Sequence, residues 1–153
     1  MKELMEVGKT TYPAIVRRSA RLGKTQGEIV QRIMATSIQN DLTDELKGFK
    51  SLLNSKGLTD SRGDAIYAAV QRQIYSALGL SEAQKKALKG ESHYPLLDFF
   101  TEHQLIAVNE AKLRLIRIYR QDMQAGVLRE VTNAKIRETL KAVGAYYRGV
   151  FGE

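Results

Sequence analysis

The sequence predicts an all-α protein, and three observations carry that prediction. Only two of the 153 residues are proline, and apolar residues recur every three or four positions along most of the chain. No stretch keeps the strict alternation of apolar and polar residues that is typical of a half-buried strand. The length suits a single domain, 1–153, with one core. We expect a compact bundle of about six or seven helices around a long central helix at about 102–122.

The first predicted helix runs from a Thr11 cap to about Leu22. Pro13 is tolerated in the first turn of such a helix, where its missing N–H has no partner to lose. Gly23 supplies the stop, because glycine adopts the left-handed conformation that ends many helices.

Two further helices are predicted before residue 57. Thr25 and Glu28 have the spacing of a capping box, and the helix that they open is predicted to end near Gln39. The next helix is predicted to end at Gly57. The apolar residues that share one face are Ile29, Val30, Ile33 and Met34 in the second helix and Leu42, Leu46, Phe49 and Leu53 in the third.

A fourth helix is predicted to begin at Thr59 or Asp60 and to end at Gly79. Its apolar stripe consists of Ile66, Tyr67, Val70, Ile74, Ala77 and Leu78. Ser81 with Gln84 forms a second capping box. The short helix that follows carries Lys85, Lys86 and Lys89.

The segment 90–95 is the stretch with the clearest loop composition, and we expect an internal hinge there. Thr101 with Gln104 caps helix 102–122, which we expect to be the longest. Apolar residues cover more than half of its circumference, so it is expected in the middle of the bundle. Its narrow polar strip is Glu110, Arg114, Arg117 and Gln121, and the last helix is indicated by Ile136, Leu140, Val143 and Tyr147.

The composition excludes several classes of site. The chain has no cysteine, which removes disulfides, thiolate catalysis and cysteine zinc sites. The two histidines, His93 and His103, do not form a metal-ligand pattern with Asp98 and Glu102, and no nucleophile, base and orienting group can be assembled. We therefore expect no catalytic site, no metal and no cofactor. The chain lacks a long apolar run and a signal-like start, so we expect a cytoplasmic protein without a membrane partner.

The clearest functional feature is a one-signed segment, called here the basic block (residues 8–26). It contains no acidic residue, and its cations are Lys9, Arg17, Arg18, Arg21 and Lys24. The whole chain has a net charge of +7. A concentrated positive surface indicates an anionic partner, either nucleic acid or an acidic protein. An ordinary solvated helix face is the alternative.

A helical projection places the three arginines of the basic block together. Arg17, Arg18 and Arg21 share one face of the first helix, opposite Ile15 and Ser19. The helix is therefore predicted to bury its apolar side and to offer three guanidinium groups to phosphates.

The region 12–39 has some features of a DNA-reading helix–turn–helix. Ser19 and Gly23 fit its small and turn positions, whereas Lys24 and Arg32 stand where that motif usually has apolar side chains. The predicted phosphate contacts are Arg17, Arg18, Arg21 and Lys24, and the predicted base-reading residues are Gln26, Gln31 and Arg32.

A second candidate surface combines the polar strip with the end of the chain. Arg114 and Arg117 lie on an otherwise apolar helix, so we expect the strip to be that helix's window to solvent and a surface for a partner. Aromatic residues near the end of a chain either fold onto the core or form a docking site, including a homodimer contact. These residues are Tyr146, Tyr147 and Phe151.

Residues 58–108 carry a family resemblance. Leu58-Thr59-Asp60-Ser61-Arg62-Gly63 is followed by Ala65-Ile66-Tyr67-Ala68-Ala69-Val70, Ile74-Tyr75, Leu96-Leu97-Asp98-Phe99-Phe100 and Leu105. This pattern resembles the helical region, with a T-D-x-R motif and a tyrosine, of some antirepressor-type regulatory proteins of phages and prophages. The resemblance covers about a third of the chain. It implies a small regulator of transcription without catalysis, although the N-terminal DNA-binding module that such proteins often carry is not recognisable here.

The sequence therefore favours a nucleic-acid-associated regulatory protein of phage or bacterial origin, with DNA as the expected nucleic acid. The alternative is a protein-interaction module, an antirepressor or adaptor that binds another protein without contacting nucleic acid. Salt-dependent binding to random duplex DNA distinguishes the two, because only the first neutralises phosphates.

Overall fold

The computed structural model describes residues 12–55, 65–125 and 129–152, and the regular structure in these ranges is entirely helical. The all-α prediction is confirmed. The helices are α1 (Pro13–Arg21), α2 (Gln26–Ser55), α3 (Ala65–Ala77), α4 (Glu82–Lys89), α5 (Glu102–Ala125) and α6 (Arg129–Tyr146), with a 3₁₀ turn at Leu96–Phe99 before α5. None of the helices in these ranges is both long enough and apolar enough to cross a bilayer.

The second and third predicted helices are one continuous helix, α2, so the predicted break after Gln39 is wrong. With 30 residues against 24 in α5, α2 is also longer than the helix that was expected to be longest. Asn40 and Asp41 are weak helix formers. However, Ile38 and Leu42 on either side are buried in the core, and this packing outweighs local propensity. The predicted helix boundaries at Thr11, Gly57, Thr59 and Asp60 lie outside the described residues.

α2 and α5 lie side by side and run in the same direction. Near their N-terminal ends Gly27 lies against Glu102, and further along Glu45 forms an ion pair with Arg120 at 2.7 Å. α6 then returns along α5 in the opposite direction. Because α5 packs against α2, α3 and α6, it occupies the middle of the bundle, as its broad apolar surface predicts.

The main hydrophobic core lies among α2, α3, α5 and α6. Its buried side chains include Leu42, Leu46, Phe49, Ile74, Phe100, Leu105, Val108, Leu115, Tyr119, Ile136, Leu140 and Val143. A separate and smaller cluster of Ile15, Ile29 and Ile33 holds α1 against the start of α2. This apolar contact is small, so the orientation of α1 depends on polar contacts as well.

All three predicted capping boxes are present. Thr25 with Glu28, Ser81 with Gln84, and Thr101 with Gln104 each exchange two hydrogen bonds between side chain and backbone. The two glutamines also use their amide nitrogens. Gln84 Nε2 donates to the Phe151 carbonyl oxygen at 3.0 Å, and Gln104 Nε2 donates to that of Val150 at 3.1 Å. The carbonyl oxygens of Val150 and Phe151 are therefore hydrogen-bonded to side chains in the first turns of α5 and α4.

α3 and α6 meet at a glycine. A Cβ atom on Gly144 would overlap the carbonyl oxygen of Ala77, so the backbone of α6 approaches α3 more closely than any larger residue would allow. Beside this crossing, side chains of the two helices line an open groove that reaches Arg72 and Arg137.

We expect Gly144→Ala to be less stable than the matched variant Gly48→Ala by about 1–3 kcal/mol, the usual cost of overpacking. A Cβ at Gly48 would lie 3.5 Å from the Met123 sulfur, an ordinary contact. Both glycines lie inside helices, so the gain in helix propensity is shared and cancels in the comparison. Urea unfolding followed by circular dichroism measures the difference, and equal stability of the two variants would contradict the close crossing.

Candidate nucleic-acid interface

α1 presents the basic block on the side that the helical projection predicts. Ile15 and Ser19 are buried, whereas Arg17 and Arg21 are exposed. Gly23 follows with a φ of +68°, a left-handed conformation that glycine adopts without a Cβ clash. The chain then turns into α2, so the predicted helix, glycine turn and second helix are present.

Asp98, in the 3₁₀ turn, binds two arginines of this region. Arg18 Nε donates to Asp98 Oδ2 at 2.5 Å, and Arg32 Nε donates to Oδ1 at 2.8 Å. The Asp98 side chain is completely buried. A buried carboxylate is tolerated when it is paired and hydrogen-bonded, and here both of its oxygens are engaged. This group, called here the Arg18–Asp98–Arg32 cluster, joins α1, α2 and the 3₁₀ turn.

The cluster changes the roles that were predicted for its arginines. Arg32 is buried and also donates to the Thr36 hydroxyl at 2.9 Å, so it is not available as a base-reading residue. Arg18 is only partly exposed, and its guanidinium carbon lies 5.9 Å from the centre of the Tyr94 ring. Arg18 is therefore occupied within the protein and is not a free phosphate contact. The cause in both cases is the buried charge of Asp98, which the two guanidinium groups neutralise.

The turn between α1 and α2 uses a third cation. Lys24 Nζ donates to the Phe100 carbonyl oxygen at 3.2 Å and pairs with Glu28 at 3.6 Å. Gln31 is engaged as well, since it accepts a hydrogen bond from Asn109 at 3.3 Å. By contrast, Gln26 is exposed in the first turn of α2. Among the predicted base-reading residues, Gln26 is thus the most accessible.

Arg17 and Arg21 are the exposed arginines of the basic block. Arg17 has no hydrogen-bond or ion-pair partner among the described residues. Arg21 donates to the Tyr94 hydroxyl at 3.3 Å, and this hydrogen bond raises the pKa of Arg21. Because they are four residues apart, the two arginines lie about 6 Å apart along the helix axis, on the same side. They form a small cationic surface, called here the α1 surface. Lys9 lies outside the described residues.

A further buried cation lies on α5. Lys112 has no exposed surface, and its Nζ has no hydrogen-bond partner in the described part of the chain. Burial, together with the positive charge of Arg32, lowers the pKa of Lys112 from 10.5 to about 8. One turn earlier, Asn109 Oδ1 is also buried without a partner among these residues. Lys112 is therefore protonated at neutral pH and destabilises the fold there.

The polar strip of α5 faces solvent, as expected. Arg114 and Arg117 are both exposed. Arg114 pairs with Glu110 at 2.8 Å, and Glu110 also accepts a hydrogen bond from the Tyr147 hydroxyl. The Tyr147 hydrogen bond lowers the pKa of Glu110 and outweighs the opposing effect of burial. Glu110 and Arg114 of the strip are therefore paired within the protein, whereas Arg117 has no ion-pair partner among the described residues.

The aromatic residues near the end of the chain are mostly part of the core. Tyr147 and Phe151 are buried, and the Phe151 ring lies 4.9 Å from that of Phe100. These two side chains therefore do not form the predicted docking surface, because the glutamine amides hold the chain end against the protein. Tyr146, 79 % exposed, is the one of the three predicted aromatics that is open to a partner.

The sequence places Asp98 among the candidates for metal or acid–base chemistry, but its pairing with Arg18 and Arg32 was not predicted. His93 is exposed, and the His103 ring lies against that of Tyr147. Within the described ranges, no group of three or more His, Asp or Glu side chains is arranged to hold a metal ion. The sequence does carry a signal of this structural role, because Asp98 is the one charged residue in the otherwise apolar run 96–100. A carboxylate buried in such a run requires a cation from elsewhere in the chain.

Comparisons with known proteins do not assign this chain to a family. No family model matches the sequence, and no match was found among curated proteins or solved structures. A functional proposal for this chain therefore depends on the geometry and charges described above.

We expect Asp98→Asn to lower the free energy of unfolding by about 3 kcal/mol or more, because the change leaves two partly buried guanidinium groups without a counter-charge. Arg114→Ala is the control, since it breaks a pair in which Arg114 is 48 % exposed and should cost about 0–1 kcal/mol. Thermal and urea unfolding measure both. If Asp98→Asn were as stable as Arg114→Ala, the cluster would not hold α1.

Stability should rise between about pH 8 and pH 10 because of Lys112. Below its folded pKa of about 8, both the folded and the unfolded states carry the proton and the penalty is complete. Between about 8 and 10.5 the unfolded state binds more protons, so unfolding becomes less favourable as the pH rises. Lys112→Met should therefore stabilise the protein at pH 7 by about 1–3 kcal/mol, with a gain that shrinks toward pH 10.

Urea unfolding of wild type and Lys112→Met at several pH values tests this expectation. Lys86→Met, on the exposed face of α4, controls for the loss of one positive charge. A Lys112→Met variant that is less stable than wild type at pH 7 would show that the buried amine has a stabilising partner.

Proposed function

We propose that the protein binds nucleic acid through the α1 surface and acts as a small regulator of transcription, with DNA as the expected nucleic acid. The observation that carries the proposal is the selective exposure of cations in the basic block. Arg18 and Arg32 neutralise the buried carboxylate of Asp98, whereas Arg17 and Arg21 extend from the same region toward solvent. Guanidinium groups bind phosphate oxygens through two parallel N–H bonds, which suits them to this contact.

The fixed orientation of α1 supports this function. Its apolar side packs on Ile29 and Ile33, its middle is joined to Asp98 through Arg18, and Lys24 binds the Phe100 carbonyl oxygen just beyond it. A helix that is already ordered before binding loses less conformational entropy when a partner arrives. Two exposed arginines on such a helix therefore contribute more affinity than the same residues on a flexible arm.

Binding is proposed to depend on phosphate contacts more than on base reading. Gln26 is accessible, and Gln31 can reach a base edge only by leaving Asn109. Glutamine pairs with adenine in the major groove, but one free glutamine reads little sequence. We therefore propose weak sequence preference and strong salt dependence. The resemblance of residues 58–108 to antirepressor-type regulators is part of the same proposal.

A protein-interaction module is the second candidate, and exposed apolar side chains favour it. Leu113 is 48 % exposed and Tyr146 is 79 % exposed. Leu113 lies one turn from Arg117 on the solvent side of α5, beside Arg114. An apolar residue with a charged rim is typical of a protein interface. An adaptor, an antirepressor or a homodimer would use this strip and leave the α1 surface to solvent.

We expect the wild type to bind random duplex DNA at about 50 mM salt, and the double charge reversal Arg17→Glu/Arg21→Glu to weaken that binding sharply. Each phosphate contact contributes about 0.9 to the slope of log Kobs against log salt, so the loss of two contacts should lower the slope by about 1.8. Fluorescence anisotropy with a labelled duplex, repeated at several salt concentrations, gives both quantities.

The matched control is Arg117→Glu/Arg148→Glu, which makes the same change in net charge at exposed positions outside α1. The proposal expects this control to keep most of its affinity and its slope. An equal loss in both variants would mean that net charge, and not the α1 surface, causes binding. A wild type that binds neither duplex nor single-stranded oligonucleotide at about 50 mM salt would remove the proposed function and favour the protein-interaction module.

A further inference from the structure

A second concentration of positive charge lies between α3 and α6, far in sequence from the basic block. The two helices line a groove of about 550 Å³, within the range of small-molecule sites. Arg72 lines it from α3, and Arg137 and Lys141 line it from α6. This site is called here the α3–α6 groove. None of these three residues is a predicted binding residue, because they come together only when the helices pack.

Among the described residues, no acidic side chain pairs with the three cations of the groove. Neither Arg72, Arg137 nor Lys141 forms a hydrogen bond or ion pair with a described residue, and none of the side chains that line the groove is acidic. Glu82 lies in a neighbouring depression that shares Arg72, but it is paired with Lys85 at 2.9 Å. Three positive charges that have no ion-pair partner among the described residues therefore line the two walls of the groove.

The shape of the groove limits what it can hold. Ala77 lines the groove and is also the residue whose carbonyl oxygen meets Gly144, so the groove lies next to the helix crossing. Leu140 contributes an apolar side chain to the wall of the groove. Gln73 and Ser76 add neutral hydrogen-bond donors on the α3 side. A groove of about 550 Å³ suits a compact anion better than a long nucleic-acid strand.

We propose that the α3–α6 groove binds a small ligand through a diphosphate group. Arg137 and Lys141 are four residues apart on α6 and so lie about 6 Å apart along its axis, while Arg72 faces them from α3. One phosphate ester carries a charge of about −1.5 to −2 near neutral pH, so three cations exceed one phosphate and suit two linked phosphates. Arginine forks favour phosphate oxygens in such a site. The site is separate from the α1 surface and does not depend on nucleic-acid binding.

The test is isothermal titration calorimetry of the full chain with inorganic pyrophosphate at low ionic strength, without nucleic acid. We expect pyrophosphate to bind more tightly than orthophosphate, because only pyrophosphate engages cations on both walls. The triple variant Arg72→Gln/Arg137→Gln/Lys141→Gln should bind pyrophosphate at least about tenfold more weakly. These residues are exposed on the described helices, so the variant is expected to fold, and circular dichroism checks that it does.

The matched control is Lys47→Gln/Lys86→Gln/Arg148→Gln, which removes the same charge from exposed positions outside the groove. It should keep wild-type affinity for pyrophosphate. The proposal is overturned if wild type does not bind pyrophosphate, or if the groove variant and the control lose affinity equally. It is also overturned if a single-stranded oligonucleotide occupies the groove and pyrophosphate does not displace it, which would assign the groove to a nucleic-acid backbone. Variants of the α1 surface that lose DNA binding should still bind pyrophosphate. Failure of the proposed nucleic-acid binding can therefore be distinguished from failure of the diphosphate site.

Discussion

The buried carboxylate of Asp98 is the constraint on which the arrangement of the basic block depends. Its two oxygens bind Arg18 from α1 and Arg32 from α2, while the apolar contact beneath α1 consists of only a few side chains. A buried carboxylate without these cations would be strongly unfavourable. The cluster therefore holds α1 in place and keeps Arg18 and Arg32 within the protein, while Arg17 and Arg21 lie on the part of the helix that Asp98 does not engage.

The same polar interior carries a cost. Arg32 stabilises Asp98, but its positive charge adds to the effect of burial on Lys112 and lowers the pKa of that lysine.

α2 and α5 also run in parallel, which brings two positive helix ends to one side of the molecule. The Glu102 side chain lies over Gly27 at this side, where a carboxylate is favourable for both helices. The charge of Asp98 is therefore compensated locally, whereas Lys112 Nζ and Asn109 Oδ1 are buried without a hydrogen-bond partner among the described residues.

Local sequence signals predicted the fold class, the three capping boxes and the glycine stop at Gly23, because each depends on neighbours within one turn. The continuity of α2 was not predicted, since Asn40 and Asp41 favour a break and only distant packing overrides it. For the candidate interface, the sequence predicted the exposed arginines but not the buried ion pairs. Exposure of Arg17 and Arg21 follows from helical periodicity, whereas the roles of Arg18 and Arg32 depend on a carboxylate that is 80 and 66 residues away in sequence. The α3–α6 groove requires knowledge of which helices pack together.

We propose that the basic block divides into arginines that hold α1 and arginines that contact an anionic partner. Arginine Nε–H resonances in a ¹H–¹⁵N NMR spectrum test this claim most directly, because Arg18 Nε and Arg32 Nε are the atoms bound to Asp98. On titration with a short DNA duplex, we expect the Arg17 and Arg21 signals to shift while the Arg18 and Arg32 signals stay in place and remain protected from exchange. Shifts of Arg18 and Arg32 with no change at Arg17 and Arg21 would contradict the account.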